Sequence, residues 1–439
     1  MRRAAAGLAA VALLAGCGGG EEPAPRPQAT STPVDASIPT PPPSDVKEFA
    51  GQNLTEKDTT TFARTVTTAL RTGNERRFRA LFDPKKPELA RRMRTWLRNV
   101  RAVPMDKRNV YVVGARTNID SSGKGVLTAD VGFEHQIRGV DPVPIAEWYR
   151  YGFRKRGGKL LVTSVGGAPP DSASGEKFSR YYRHPWDDPP MAVVSRPRAI
   201  VMGPVGDRAA LTQIAANADS DMRRLTARLG SLGLPHGRRG ARFAFTLQSP
   251  TVSDVHDYFG GSVEPTEANF EGFTTSVYPT DHTSGEVFDG RPATSRIALS
   301  RSLLSNPDPA VLRHELVHAL LFALGSGSDV PIWVDEGAAV YFSDAPASEL
   351  SFRRAAGRTG LAAAKAMPGD KTFYAGNDDA VARKYGMGYL AIAYLADRYG
   401  DRGLMRRLVR LYQAKTYVDE FRGTKSGAKF IHAVRRWAG

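Results

Sequence analysis

The sequence predicts an α+β protein of two folded units, and three observations carry that expectation. The hydrophobic spacing switches from helical to strand-like within the first half of the chain, a Gly- and Pro-rich stretch interrupts it, and short strands then give way to apolar helices. With 439 residues the chain is about three times one usual domain. Its 41% hydrophobic and 24% charged content matches ordinary globular proteins, so sizeable cores can be buried.

The amino terminus stands apart from both units. Arg2 and Arg3 precede the apolar run Ala4 to Ala15, then Gly16 and Cys17, a secretory signal pattern over 1–16. That run falls well short of the ~20 residues needed to cross a bilayer. Leu14-Ala15-Gly16-Cys17 resembles the lipobox of bacterial lipoproteins, which implies lipidation of Cys17 and an anchor on the outer face of the plasma membrane. Cys17 is the only cysteine, so neither a disulfide framework nor a thiolate metal cluster is available. Residues 17–47, rich in Gly, Pro, Ser and Thr, read as a disordered tether.

The net charge is +16, or +14 without residues 1–16, whose only charges are Arg2 and Arg3. For an exported chain the partners this implies are anionic lipid head groups or acidic cell-wall polymers, not nucleic acid. Arg91, Arg92, Arg94, Arg98 and Arg101 read first as a solvated face and second as a contact for such a surface.

The first unit, 48–168, opens with Phe62, Val66 and Leu70 at four-residue spacing, followed by Phe78, Leu81, Leu89, Met93 and Leu97, which predict two or three amphipathic helices. After Pro104 come strand candidates around Val110 and Val112, Val126 to Phe133, Ile145 to Phe153 and, past a Gly157-Gly158 turn, Leu160 to Val165. Helices followed by an antiparallel sheet resemble the NTF2-like α+β fold. Residues 169–190, with Pro169-Pro170 and Pro189-Pro190, read as a linker.

In the second unit, 191–439, strands are expected at Ala192 to Val194, Ala199 to Met202, Phe243 to Leu247 and Ile297 to Leu299, with a helix from about Asp207 to Leu229 stopped by Gly230. The informative stretch is Asp308 to Gly325. Asp308 suits an N-cap, Pro309 the first helical position and Gly325 the stop. Within it His314-Glu315-Leu316-Val317-His318 puts two imidazoles one turn apart on one face, where they can chelate a cation, and Glu315 beside them as general base for a metal-activated water.

A catalytic zinc needs three protein ligands and an open position. After His318 the only histidine is His432, and Leu321 and Leu324 occupy the places where a metzincin has Gly and His, so the third ligand must be a carboxylate. Trp333-Val334-Asp335-Glu336-Gly337 resembles the W-x-x-E-G segment of the gluzincins, the thermolysin-like HExxH metallopeptidases. The resemblance implies a zincin-like domain, a small sheet with an edge strand and then mainly helices, with Zn2+ held by His314, His318 and Glu336. Asp335, about 100° round the same helix, is the rival ligand.

The family also implies a peptide or protein substrate added as a strand near Ile297 to Leu299, and an oxyanion donor for which Tyr385 and Tyr389 are the candidates on an expected helix from Lys384 to Tyr399. The family's Asp four residues past the ligand Glu is Val340 here, leaving Asp335 or a carbonyl to orient a zinc histidine. No phosphate-binding loop or nucleophile elbow is present, and His135, His184, His236, His256, His282 and His432 read as structural or surface residues. Beside the hydrolase stands a second reading, a non-catalytic envelope scaffold with a structural zinc helix.

Overall fold

The computed structural model describes residues 54–119, 125–167, 184–187, 190–235, 242–248, 271–277, 293–304, 308–325, 330–413 and 428–439. The signal pattern, Cys17, the tether, most of the expected linker, and His236, His256 and His282 lie outside the described residues. The fold is α+β.

Three helices open the first unit: α1 (Glu56–Thr72), α2 (Glu75–Arg79) and α3 (Pro87–Ala102). A capping box starts α1, the Thr55 hydroxyl accepting from the Asp58 amide while the Asp58 carboxylate accepts from the Thr55 amide. Four antiparallel strands follow in the order β1 (Met105–Ile119), β2 (Gly125–Ile137), β3 (Ile145–Arg156) and β4 (Lys159–Gly167). Gly157 and Gly158, at φ 55° and 70°, form the tight turn between the last two. The periodic residues Phe62, Val66, Leu70, Met93 and Leu97 are buried with Phe133, Tyr151 and Phe153 from the sheet.

The second sheet is mixed: β5 (Met191–Ser195), β6 (Ala199–Pro204), β7 (Phe243–Gln248), β8 (Gly272–Val277) and β9 (Thr294–Ser300) lie in the order β5-β6-β7-β9-β8. Its central pairs, β6 with β7 and β7 with β9, are parallel. Both faces of this sheet are covered, which is why β6 reads as an unbroken apolar run. Ala199 and Val201 face the core of the second unit, whereas Ile200 and Met202 join that of the first. α4 (Arg208–Leu232) packs on the first of these faces; Gly230, expected to stop it, is buried inside the helix, and Gly233 at φ 114° ends it.

Two expectations are corrected here. Ile297 to Leu299 is not at an edge: β9 is fully buried between β7 and β8, and the outer strand is β8, which the sequence reading left unassigned. The described end of the expected linker, 184–187, packs against the first unit, a placement its composition does not reveal. Trp186 is buried against Phe133 and His135, its carbonyl accepts from Asn99, and Asn99 in turn accepts from the Met191 amide. A buried pair also joins the units, Arg296 of β9 donating to both oxygens of Asp141 at 2.8 and 3.1 Å.

The remainder is helical: α5 (Pro309–Phe322), α6 (Ile332–Phe342), α7 (Ala347–Ala363), α8 (Asp378–Gln413), broken at Gly400 (φ 68°), and α9 (Ala428–Ala438). No described helix is long and apolar enough to cross a membrane.

Candidate metal centre

α5 begins as its sequence dictates, with the Asp308 carboxylate accepting from the Ala310 amide at 2.7 Å and Pro309 in the first turn. It is apolar nearly all round and correspondingly buried, between the second sheet, α4 and α6. Its end differs from expectation: Ala323 caps it, and Gly325 serves a close approach, since a Cβ there would sit 1.9 Å from the Tyr412 carbonyl oxygen. α6 runs beside α5 and has no side-chain cap of its own; Asp370 accepts from the Ile332 amide at 2.9 Å instead.

These two helices bring three ligand groups together. His314 Nε2 stands 3.0 Å from Glu336 Oε2 and 3.0 Å from His318 Nε2, and His318 Nε2 lies 3.4 Å from the same carboxylate oxygen. Among the described residues this is the one group of three His, Cys, Asp or Glu whose ligand atoms all lie within 4.8 Å of one another. A tetrahedral cation bonded at ~2.1 Å requires donors roughly 3.4 Å apart, so the spacing fits with shifts of a few tenths of an ångström. His318 and Glu336 are fully buried and His314 is 6% exposed.

Asp335, the rival ligand, is placed elsewhere. Its Oδ1 lies 3.1 Å from His318 Nδ1 and also accepts from the Tyr412 hydroxyl. With Nδ1 donating to Asp335, the lone pair of Nε2 is left to face His314 and Glu336, the arrangement by which an outer carboxylate orients a metal-binding histidine. Asp335 is thus the carboxylate on the far nitrogen of His318. The other oxygen of Glu336 accepts from Tyr374, a residue the sequence reading did not single out.

Glu315 lies fully buried beside the ligands, and its Oε2 accepts from Thr274 of β8 at 2.8 Å. The Glu315 backbone carbonyl lies 3.0 Å from the same hydroxyl, so Thr274 of the outer strand meets α5 at both groups. Gly272 permits this contact, since a Cβ there would come within 3.0 Å of Glu315 Cγ and Val311 Cγ1. Glu315 Oε1 is buried with no hydrogen-bond partner among the described residues, a place suited to a water.

Burial pushes the Glu315 carboxyl up to about 8, against the pull of His318 and the Thr274 hydroxyl. Burial acts on Glu336 in the same sense, but the His318 and His314 imidazoles outweigh it and hold this carboxyl well below the usual range. Burial also lowers His314, favouring the neutral imidazole that a metal requires.

The tyrosine candidates separate. Tyr385 is 1% exposed, its ring centroid 6.3 Å from that of His314 and 5.2 Å from the Arg353 guanidinium carbon. Tyr389, one turn further along α8, packs by Tyr341 at 6.4 Å and is not brought to the ligand group. Backbone contacts set this position: a Cβ on Gly337 of α6 would meet the Gly388 carbonyl of α8 at 2.5 Å, and one on Gly386 would meet the Arg353 carbonyl of α7 at 2.4 Å. Glycine pairs inside helices were the available sign that α8 lies close against its neighbours. Tyr374, Thr274 and Tyr412 carry no such sign. No protein-family model matches the chain, and no curated protein matches it.

Proposed function

We propose that the chain is a zinc-dependent hydrolase of peptide bonds, tethered through a lipidated Cys17 to the outer face of the plasma membrane, with a gluzincin-like second unit and an NTF2-like first unit. The observation that carries this reading is the buried convergence of His314, His318 and Glu336 beside a carboxylate, Glu315, whose Oε1 has no protein partner among the described residues. Three ligands leave a fourth position open, which a purely structural zinc site does not.

Bound zinc would supply Lewis acidity, lowering the pKa of a water and polarising the scissile carbonyl. The chain's own residues do the rest. Glu315 takes the proton of the attacking water on Oε1 while Thr274 holds Oε2, then passes that proton to the leaving amine nitrogen. Tyr374 and Asp335 keep Glu336 and His318 in place. Tyr385, beside His314, is the candidate donor to the developing oxyanion. The edge of β8 away from β9 is where an extended peptide would add as a strand.

The test is Glu315→Gln, assayed for zinc by metal analysis and for activity with a peptide library. The variant is expected to keep its zinc and to lose hydrolysis by about 100-fold or more. A zinc-loaded wild type that cleaves nothing would favour the scaffold, and a variant as active as wild type would remove Glu315 from its role.

A further inference from the structure

The chain's positive charge is unevenly placed. From Arg71 to Arg101 stand eleven arginines and lysines against three acidic residues, Glu75, Asp83 and Glu88, so 31 residues hold +8 of the chain's +16. This stretch is the end of α1, all of α2, the following loop and α3. Ten of the eleven are exposed, Arg94 being partly buried.

Several of these cations are committed to the fold. Arg92 donates to the Val165 carbonyl and Arg101 to the Leu70 carbonyl. Arg98 grips Glu75 through two bonds of 2.6 and 2.8 Å, which binds α3 to α2. Glu75 is held below the usual carboxylate range, first by its bond to Arg98 and then by the charges of Arg98, Arg94 and Arg101. One carboxylate therefore feels the charges of three arginines. Of the other two acids, Asp83 is taken by Arg154 and Glu88 by Arg91. Among the described residues no carboxylate pairs with Arg71, Arg76, Arg77 or Arg79, and Lys85 and Lys86 are exposed in the adjoining loop.

We infer that this face docks on an anionic lipid surface. Exposed guanidinium groups with no carboxylate partner among the described residues can form point contacts for phosphate oxygens, and each basic side chain near such a surface adds affinity until salt screens it. The location favours lipid over a soluble polyanion. The face belongs to the unit that follows the lipobox-like Leu14 to Cys17 in the sequence. An anchor at Cys17 would hold the face at high effective concentration over the bilayer, orienting the molecule as well as retaining it. The choice of lipid over polymer rests on the Cys17 anchor of the proposed function, whereas neither the metal site nor the hydrolase reading enters this inference.

Binding of the full chain carrying Cys17→Ala to vesicles tests it without lipidation. Phosphatidylglycerol–phosphatidylcholine vesicles should bind it, and pure phosphatidylcholine should not. Replacing Arg71, Arg76, Arg77 and Arg79 with Gln should weaken binding on the order of 100-fold at low salt. Replacing the same number of exposed arginines elsewhere, Arg354, Arg358, Arg402 and Arg406, should leave it within a few-fold. Should the first variant fail to fold, Lys85→Gln with Lys86→Gln in the loop gives the smaller loss of about tenfold. Equal losses from the two arginine sets, or indifference to lipid charge, would overturn the inference. So would binding to soluble polyglycerol phosphate without binding to anionic vesicles, which would make a polymer the partner.

Discussion

Two pairs of histidines each gather around one carboxylate oxygen, and the two arrangements match in their closest distances. In the first pair, His135 Nε2 of β2 and His184 Nδ1 of the half-buried segment 184–187 lie 3.0 and 3.4 Å from Glu147 Oε1. In the second, His314 and His318 lie 3.0 and 3.4 Å from Glu336 Oε2. Only the second set has all its ligand atoms within 4.8 Å of one another among the described residues. The reason is where the histidines come from. His314 and His318 share a helix at four-residue spacing, which forces their rings together, whereas His135 stands on β2 and His184 on a separate segment.

The neighbours differ as well. Asp335 is an outer partner that orients His318. Its counterpart beside His135, Asp141, is drawn away: its Oδ2 lies 3.8 Å from His135 Nδ1 while Arg296 takes both its oxygens. The same residue types thus converge into a group able to hold an ion in one place and take part in the joint between units in the other. Convergence, more than composition, makes a metal centre.

The sharpest way to break this comparison is to delete one histidine from each set. His318→Ala should abolish stoichiometric zinc binding, and His135→Ala should leave it intact, as read by competition titration with a chromophoric chelator. Equal zinc loss from both would end the distinction. Next in size is the joint. Arg296→Met leaves the Asp141 carboxylate buried without its partner and should cost about 3–5 kcal/mol in urea unfolding, much of it recovered when Asp141→Leu is added. A loss under about 1 kcal/mol would mean that water reaches the pair.

A smaller effect is expected at the outer partner of the metal centre. Asp335→Ala should weaken zinc binding about 10–100-fold while leaving the ligand set whole. The least is a pH trend at Asp187, in the segment that follows the first unit. Burial pushes Asp187 up to about 6, against the pull of His184 and the hydrogen bonds from the His184 amide and the Tyr149 hydroxyl. Because the folded state holds this proton more tightly than the unfolded chain, the contribution to stability is present below about pH 4 and is lost as pH rises through about 6. Asp187→Asn should therefore gain stability relative to wild type between pH 4 and pH 7. Parallel stability curves over that range, measured by denaturant unfolding, would contradict it.

Legibility followed the range of the interactions. The caps at Thr55 and Asp308 and the spacing of His314, Glu315 and His318 are settled within a few residues and were readable from the chain alone. Glu336 was reached through the local Trp333 to Gly337 pattern, not through any contact. Thr274, Tyr374 and Tyr412 approach the site from segments 41, 38 and 77 residues away from the groups they bond, and no periodicity marks them. The strand order misled for a similar reason: Ile297 to Leu299 looks the same as an edge or an interior strand until its neighbours are known.

By itself the sequence determined which residues stand on which helix face, because a helical turn repeats every ~3.6 residues whatever surrounds it. It thereby placed two imidazoles and a carboxylate on α5. Tertiary structure decided which distant groups close around them: Glu336 rather than Asp335 between the two Nε2 atoms, Asp335 on the far nitrogen of His318, Tyr374 on Glu336 and β8 against Glu315. Those choices depend on how sheets and helices pack, and packing is fixed by the summed burial of both cores, which no local window contains.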